Sequence, residues 1–451
     1  MRSPLCASLA AVLCSFVPLP AQDRPAAPRP AEASQMLATE RFLFVIRDGV
    51  LWQFDVATLA PLHSFAFPDG KDLPAIARRE ATRRELPAPP REVAPEPAPA
   101  AAAVPAEPVA GSIEAALRWL AAHQDESGKW DCDEFMKHDD PAAGKPCDGP
   151  GKAVHDVGVT GLALLAFLGA GSTMRGGPHK EQIKKAAKWL KEQQQENGLF
   201  GTNASHDFVY DHAIATYAMC EAYGLSDYQL LRANAQKGID YLESHRNPYS
   251  VWRYQPRDND NDTSVTTWAL CAYRSADHFG LQVNKDAMKL VGVWYDQVSS
   301  PDGRAGYSKQ GEPSSRMEGD HFARFPPQRG EAMTAAAAFG RYALGQDAKS
   351  KPILARAAER LVAKPPKWEA GHVDAVYWFF GTYALFQAGG EPWVTWQQAL
   401  RTLVEHQRQD GNHAGSWDPV GVWDQEGGRV FTTALYALSL EAVARYQKLV
   451  K

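Results

Sequence analysis

The sequence predicts an all-α fold, an (α/α)6 toroid of six helix pairs preceded by a small β-hairpin segment and a Pro/Ala-rich linker. Three observations predict it. Six nearly all-apolar helices open at Asp156 (DVGVTGLALLAFL), Asp211, Asp262, Glu331, Asp374 and Arg429. Each follows a more polar, amphipathic stretch: Ile113–His123, Ile183–Gln194, Leu230–Ser244, Lys285–Gln297, Ile353–Ala363 and Trp396–Gln407. The units repeat at about 45 to 70 residues, the mark of a quasi-regular architecture. A helix that is apolar all round must be surrounded by protein, so these helices form the inner ring and the amphipathic ones the outer ring. A cavity on the ring axis is then the natural place for chemistry.

Arg2, the apolar run Leu9–Leu19 and Ala21 before Gln22 read as a signal peptide over residues 1–21, implying a secreted or periplasmic protein. An uncleaved anchor and a lipoprotein cysteine at Cys14 are the alternatives. The run is too short to span a bilayer, so the mature chain is expected to carry no transmembrane segment. Residues 22–39 read as disordered. Residues 40–68 alternate apolar and polar positions around Asp48-Gly49, a strong hairpin signal. Residues 69–111, rich in Pro and Ala, read as an extended linker. The toroid is expected over residues 112–451, with Ser112 as N-cap of its first helix. The net charge of -5 gives no footprint for nucleic acid.

The turns between outer and inner helices carry a signature: Gln, a Gly turn, then an aromatic. The clearest are Gln124-Asp-Glu-Ser-Gly128-Lys-Trp130 and Gln407 through Gly411 and Gly415 to Trp417. Weaker copies are Gln195 to Phe200, Arg246 to Trp252 and Pro301 to Tyr307. Gln can satisfy helix-end backbone groups, Gly takes the left-handed turn, and the aromatic covers the junction. This pattern resembles the Q-x-x-x-G-x-W repeats of the squalene cyclase and protein prenyltransferase superfamily, over roughly Ser112 to Tyr446. It is most similar to secreted bacterial proteins with prenyltransferase/squalene oxidase repeats.

The resemblance implies, for a squalene–hopene cyclase, a D-x-D-D-T-A motif whose middle Asp protonates an alkene. The matching stretch is Asn259-Asp260-Asn261-Asp262-Thr263-Ser264, with Asn261 at the proton-donor position. Asp260 is left as the best surviving acid and Asp262 as its supporting carboxylate. Asp262, Asp156, Asp211 and Asp374 also read as helix caps, or as a rim of carboxylates binding a polar ligand head. Trp252, Tyr254, Trp268 and Tyr307 are the candidate aromatic wall, which would shield a carbocation in an active cyclase. The family's Asp, Cys and His zinc set is not reproduced. Arg253, Arg257, Arg324 and Arg329 are the only basic loop group on which a phosphate clamp could be built.

Cys132 and Cys147 share one loop and would pair in an oxidising compartment. A zinc site from Cys132, His138, Cys147 and His155 with Asp131 or Asp133 is the alternative; otherwise no metal or cofactor is expected. Cys220 and Cys271 read as buried apolar groups. Thr266, Thr334 and Thr433 recur near one helical turn and either line a pocket or bond back to their own helix.

These residues imply a terpenoid-cyclase-like toroid that does not cyclise and binds an apolar or isoprenoid-like ligand, or an envelope protein. The alternatives are a terpene cyclase or isomerase using Asp260 and Asp262, and a carbohydrate-active (α/α)6 enzyme. The 13 Trp and 15 Tyr would serve the latter by stacking on sugars, although most read as core.

Overall fold

The computed structural model describes residues 35–38, 42–47, 50–55, 61–66 and 106–444. The expected signal peptide, the expected turn at residues 48–49, and residues 67–105 lie outside the described residues. The chain divides into two compact units, Met1–Ala98 and Pro99–Lys451.

In the first unit, β1 (Gln35–Ala38), β2 (Phe42–Arg47), β3 (Val50–Asp55) and β4 (Pro61–Ala66) form an antiparallel meander in the order β1-β2-β3-β4. Arg47 pairs with Val50 at the end of the β2–β3 ladder. The sheet adds a strand on each side of the expected hairpin, and β1 falls in a stretch expected to be disordered.

The second unit alternates outer and inner helices. They are α1 (Ala106–Ala122), α2 (Asp156–Gly169), α3 (Lys180–Gln193), α4 (Phe208–Ser226), α5 (Arg232–His245), α6 (Thr263–His278) and α7 (Lys285–Val298). Then come α8 (Ala332–Ala343), α9 (Ile353–Val362), α10 (Ala375–Ala388), α11 (Gly390–Ala399), α12 (Arg401–His406) and α13 (Asp424–Ala444). A one-turn helix, Asp320–Arg324, lies in the connection before α8. Inner helices pack in sequence, α2 on α4, α4 on α6, α6 on α8, α8 on α10 and α10 on α13; α13 then packs back on α2 and closes the ring. The contrast between the rings is plain in α2 and α3. Asp156 through Leu168 are all buried, whereas α3 buries only Ile183, Ala186, Ala187 and Leu190, one stripe at helical spacing. Among the described residues no helix is long and apolar enough to cross a membrane.

Helix ends differ from expectation where local chemistry decides. α1 begins at Ala106, so Ser112 lies within the helix rather than capping it. Pro108 sits in that first turn, where its missing N–H is tolerated. α4 begins at Phe208, placing Asp211 in the first turn and not at the cap. Gly428, at φ 67°, breaks α13, so its regular run starts at Arg429.

The Gln-Gly-aromatic turns join neighbouring pairs. Gln124 Nε2 donates to Gly128 O and to Gln182 O of the next repeat, both at 2.9 Å. Gln194, one residue before the expected Gln195, does the same to Gly198 O and Asn234 O at 3.0 Å. Gln407 Nε2 bridges Gly415 O and Ser112 O, each at 2.8 Å, which joins the last repeat to the first. Gly128, Gly198, Gly303 and Gly415 have φ of 106°, 96°, 90° and 99°. A Cβ on any of them would strike the backbone or a side chain of the following outer helix. Trp130, Trp252 and Trp417 each donate Nε1 to the last turns of the preceding outer helix, at Leu120 O, Leu242 O and Leu403 O, 2.7 Å each.

Candidate functional site

The inner helices all start at one rim, and each start holds a carboxylate: Asp156, Asp211, Asp262, Glu331, Asp374 and Asp424. All six are buried. Burial of a charge demands compensation, and each carboxylate finds a different one. Asp156 accepts from Lys129 Nζ at 2.6 Å and from Cys132 N at 2.9 Å. Glu331 gathers Arg304, Arg360 and Lys364, which hold its carboxyl below the usual range against the effect of burial. Asp262 and Asp374 cap their helices through Val265 N and Tyr377 N, at 2.8 and 2.9 Å. Asp374 also lies 3.5 Å from Arg316 Nη2. Asp424 accepts from Gly421 N at 2.6 Å, its other oxygen lacks a partner, and burial pushes it up to about 7. Asp211 faces His155.

Inside this rim lies a cavity of ≈ 180 Å³. Its apolar wall includes Leu162, Ile214, Trp268, Met333, Trp423 and Phe431. Trp268 is held by stacking on Phe379, with centroids 5.5 Å apart and planes at 12°.

One side of the cavity is a chain of hydroxyls rooted in Asp262. Ser264 Oγ donates to Asp262 Oδ1 at 2.9 Å and lies 2.6 Å from the Tyr210 hydroxyl; Tyr254 and Tyr307 hydroxyls pair at 2.5 Å. Ser264 and all three tyrosines line the cavity. Burial pushes the Asp262 carboxyl up to about 6, and Val265 N and Ser264 only partly offset it. Its Oδ2 has no hydrogen bond, with Arg253 Nε 3.7 Å away.

A second side is charged. His155 Nδ1 lies 3.0 Å from Asp211 Oδ2, and Nε2 lies 3.5 Å from Glu426 and 4.0 Å from Asp207. Burial disfavours the imidazolium, but Asp211 and Glu426 outweigh it and hold His155 up to about 10. Lys152 pairs with Glu426 at 2.6 Å. The third polar group is Arg316. It is spent on Phe325 O at 3.1 Å, Ser315 O at 2.8 Å and Asp374.

Of the residues singled out by sequence, Tyr254, Trp268, Tyr307 and Asp211 line the cavity. Asp262 lies behind its tyrosines. Asp156 and Asp374 are rim carboxylates taken up by Lys129 and by capping. Two expectations are corrected. Asp260 is 56% exposed and paired with Arg253 on a surface loop, so it is no cavity acid. Trp252 is a junction aromatic packed on Tyr273, away from the cavity, because its indole serves the Leu242 carbonyl.

The threonines neither line the cavity nor bond to a preceding turn as a set. Thr266 and Thr334 accept from the turn amides of Trp252 and Ala305, at 3.3 and 3.2 Å.

Cys132 and Cys147 are free, not paired. Cys147 Sγ donates to Asn412 O at 3.1 Å, and Cys132 is buried beside Asp156. The zinc set is dispersed as well: His138 lies by Asp125, His155 by Asp211, and Cys147 by His123 and Asp139. Nor do the loop arginines form a clamp: Arg253 serves Asp260, and Arg329 donates to Ala370 O at 2.7 Å.

Sequence reasoning missed His155 as a cavity residue, along with Tyr210, Asp207, Arg316 and Glu426. A His directly before an inner-helix Asp was a usable signal for His155. Glu426, beside the Gly427-Gly428 turn, carried none.

No protein-family model matches the chain, and no curated protein matches it. Solved structures do. The unsaturated glucuronyl hydrolase specific for heparin aligns with TM-score 0.52 at 13% identity, covering 75% of this chain and 98% of that one. Cellobiose 2-epimerase from Bacillus thermoamylovorans aligns with TM-score 0.51 at 14% identity, covering 74% and 98%. A type II terpene cyclase from Scytonema aligns with TM-score 0.47 at 17% identity, covering 75% and 97%. The chain therefore has the (α/α)6 toroid, a fold used by enzymes of unrelated chemistry.

Proposed function

We propose that this toroid binds a small, largely apolar, isoprenoid-like molecule in its central cavity and does not cyclise it. The observation that carries this reading is the cavity itself: an aromatic and aliphatic enclosure with its polar groups gathered at the rim. Its ≈ 180 Å³ compares with a cavity of about 150 Å³ that takes benzene, so it suits a body on the order of ten non-hydrogen atoms. A long polyene folded for polycyclisation needs far more room. The acid chemistry points the same way. Protonating an alkene calls for an unusually strong acid, whereas burial makes Asp262 weaker than an ordinary carboxylic acid. Arg2 and the run Leu9–Leu19 support export to the periplasm or beyond.

The second reading is carbohydrate chemistry. It is favoured by Asp211 and Glu426, two carboxylates at one aromatic-walled cavity. Both are tied to the same imidazole, which favours a structural over a reacting role. Calorimetric titration of the full chain with geraniol and with methyl β-glucoside separates the readings. Geraniol is expected to bind, and Ala332→Phe, which fills the cavity, to weaken it by about tenfold or more. Binding of the glucoside alone would sink the isoprenoid reading.

A further inference from the structure

Resting on that reading, we infer that the polar head of the ligand is a cation, an organic ammonium seated at the Asp207 side of the cavity. The cavity is unsuited to an anionic head. Among the described residues lining the cavity, the cationic side chains are His155 and Arg316. Both are committed: Arg316 is 2% exposed and directs its guanidinium to two carbonyls and Asp374, and both His155 nitrogens face carboxylates. A carboxylate, phosphate or diphosphate head entering here meets no open cation, and multiple charge-assisted bonds are what such heads need.

Charge balance favours a cation over a neutral head. At the His155 side, Asp207, Asp211 and Glu426 face two cations, His155 and Lys152, which leaves one negative charge uncompensated. That charge falls most naturally on Asp207. Its closest ion contact among the described residues is 4.0 Å long, its side chain is 37% exposed, and it makes no side-chain cap to α4.

The cavity wall includes the rings of Tyr210, Trp268, Trp423 and Phe431, and aromatic rings attract a cation at close range; the Tyr254 and Tyr307 rings already carry Arg253, 5.3 and 5.2 Å from their centroids. An apolar wall, aromatic rings and a carboxylate held only by the 4.0 Å contact to His155 together suit an apolar body with an ammonium end.

The test is a titration of the full chain at low salt with geranylamine, geraniol and geranic acid, which share one body and differ in head charge. The amine is expected to bind about tenfold or more tighter than the alcohol, and the acid most weakly. Asp207→Asn should cut the amine-over-alcohol preference to about twofold. Asp286→Asn, an exposed carboxylate on the outer helix α7, should leave it intact, which sets a specific head site apart from general attraction to an acidic protein. Equal binding of alcohol and amine, or preference for the acid, overturns this inference and leaves the apolar-ligand reading standing. Binding of none of the three overturns both.

Discussion

The Gln407 side-chain amide donates to the Ser112 carbonyl at 2.8 Å, across 295 positions of sequence, and its second bond holds Gly415 O. The ring is therefore shut by the same two-bond clamp that links Gln124 and Gln194 to their neighbours. Gln407→Ala cuts the tie to Ser112 O and leaves the buried Gly415 carbonyl without its donor, and a loss of roughly 1–3 kcal/mol is expected. Urea unfolding checks it, with Gln194→Ala as the same lesion away from the seam. A change below about 0.5 kcal/mol in both would remove the clamp from the account of stability.

Gly198 tests the turn geometry. It sits at φ 96°, and a Cβ there would collide with the Lys237 carbonyl. Gly198→Ala should cost about 2 kcal/mol or more, since strain and collision add. Gly176→Ala, where nothing lies within 4 Å, should stay within about 1 kcal/mol of the parent. Similar unfolding midpoints for the two variants would contradict the packing described.

His155 makes stability depend on pH in the alkaline range. Its pKa rises from 6.5 to about 10 on folding because Asp211 and Glu426 outweigh burial. The native state thus binds this proton more tightly. Its contribution is complete below pH 6.5 and drains away as pH climbs through 10. His155→Gln should lose this component, giving a flatter stability profile between pH 6.5 and 10 in urea titrations. Parallel profiles for variant and parent would refute the pairing.

Asp424 acts at lower pH. Burial raises it from 3.8 to about 7, so its stabilising contribution is greatest below pH 3.8 and is lost as pH rises through 7. Asp424→Asn keeps an acceptor for Gly421 N and removes the charge. Its melting temperature should exceed the parent's by a few degrees at pH 8, with the gap closing near pH 4. A gap independent of pH would show that ionisation is not the cause.

The toroid was legible because its signals are periodic and local. The polar face of α3 and the apolar run of α2 read directly from residue spacing, and Gly128 with Trp130 marked the turn from outer to inner helix. The cavity was legible only in part. Tyr254 and Tyr307 came from aromatic loops, Trp268 from an apolar inner helix, and Asp211 and Asp262 from helix starts. Closure adds what no single repeat contains: His155 precedes α2, Glu426 opens α13, and the two meet only because the first and last pairs become neighbours. Asp260 shows the converse. Its motif context favoured it, but two positions decide between a surface loop and the buried cap at Asp262, and no local pattern reports burial at that resolution.

The six rim carboxylates occupy equivalent addresses on a rotationally repeating frame, so what distinguishes one address from another is the partner beside it. Lys129 silences Asp156, three cations silence Glu331, and the imidazole of His155 keeps Asp211 at the cavity. Polarity in such a ring is portable. Exchanging a counter-group between two addresses would turn the charged corner around the axis while every helix keeps its place, letting one scaffold present its polar face to ligands from any of six directions.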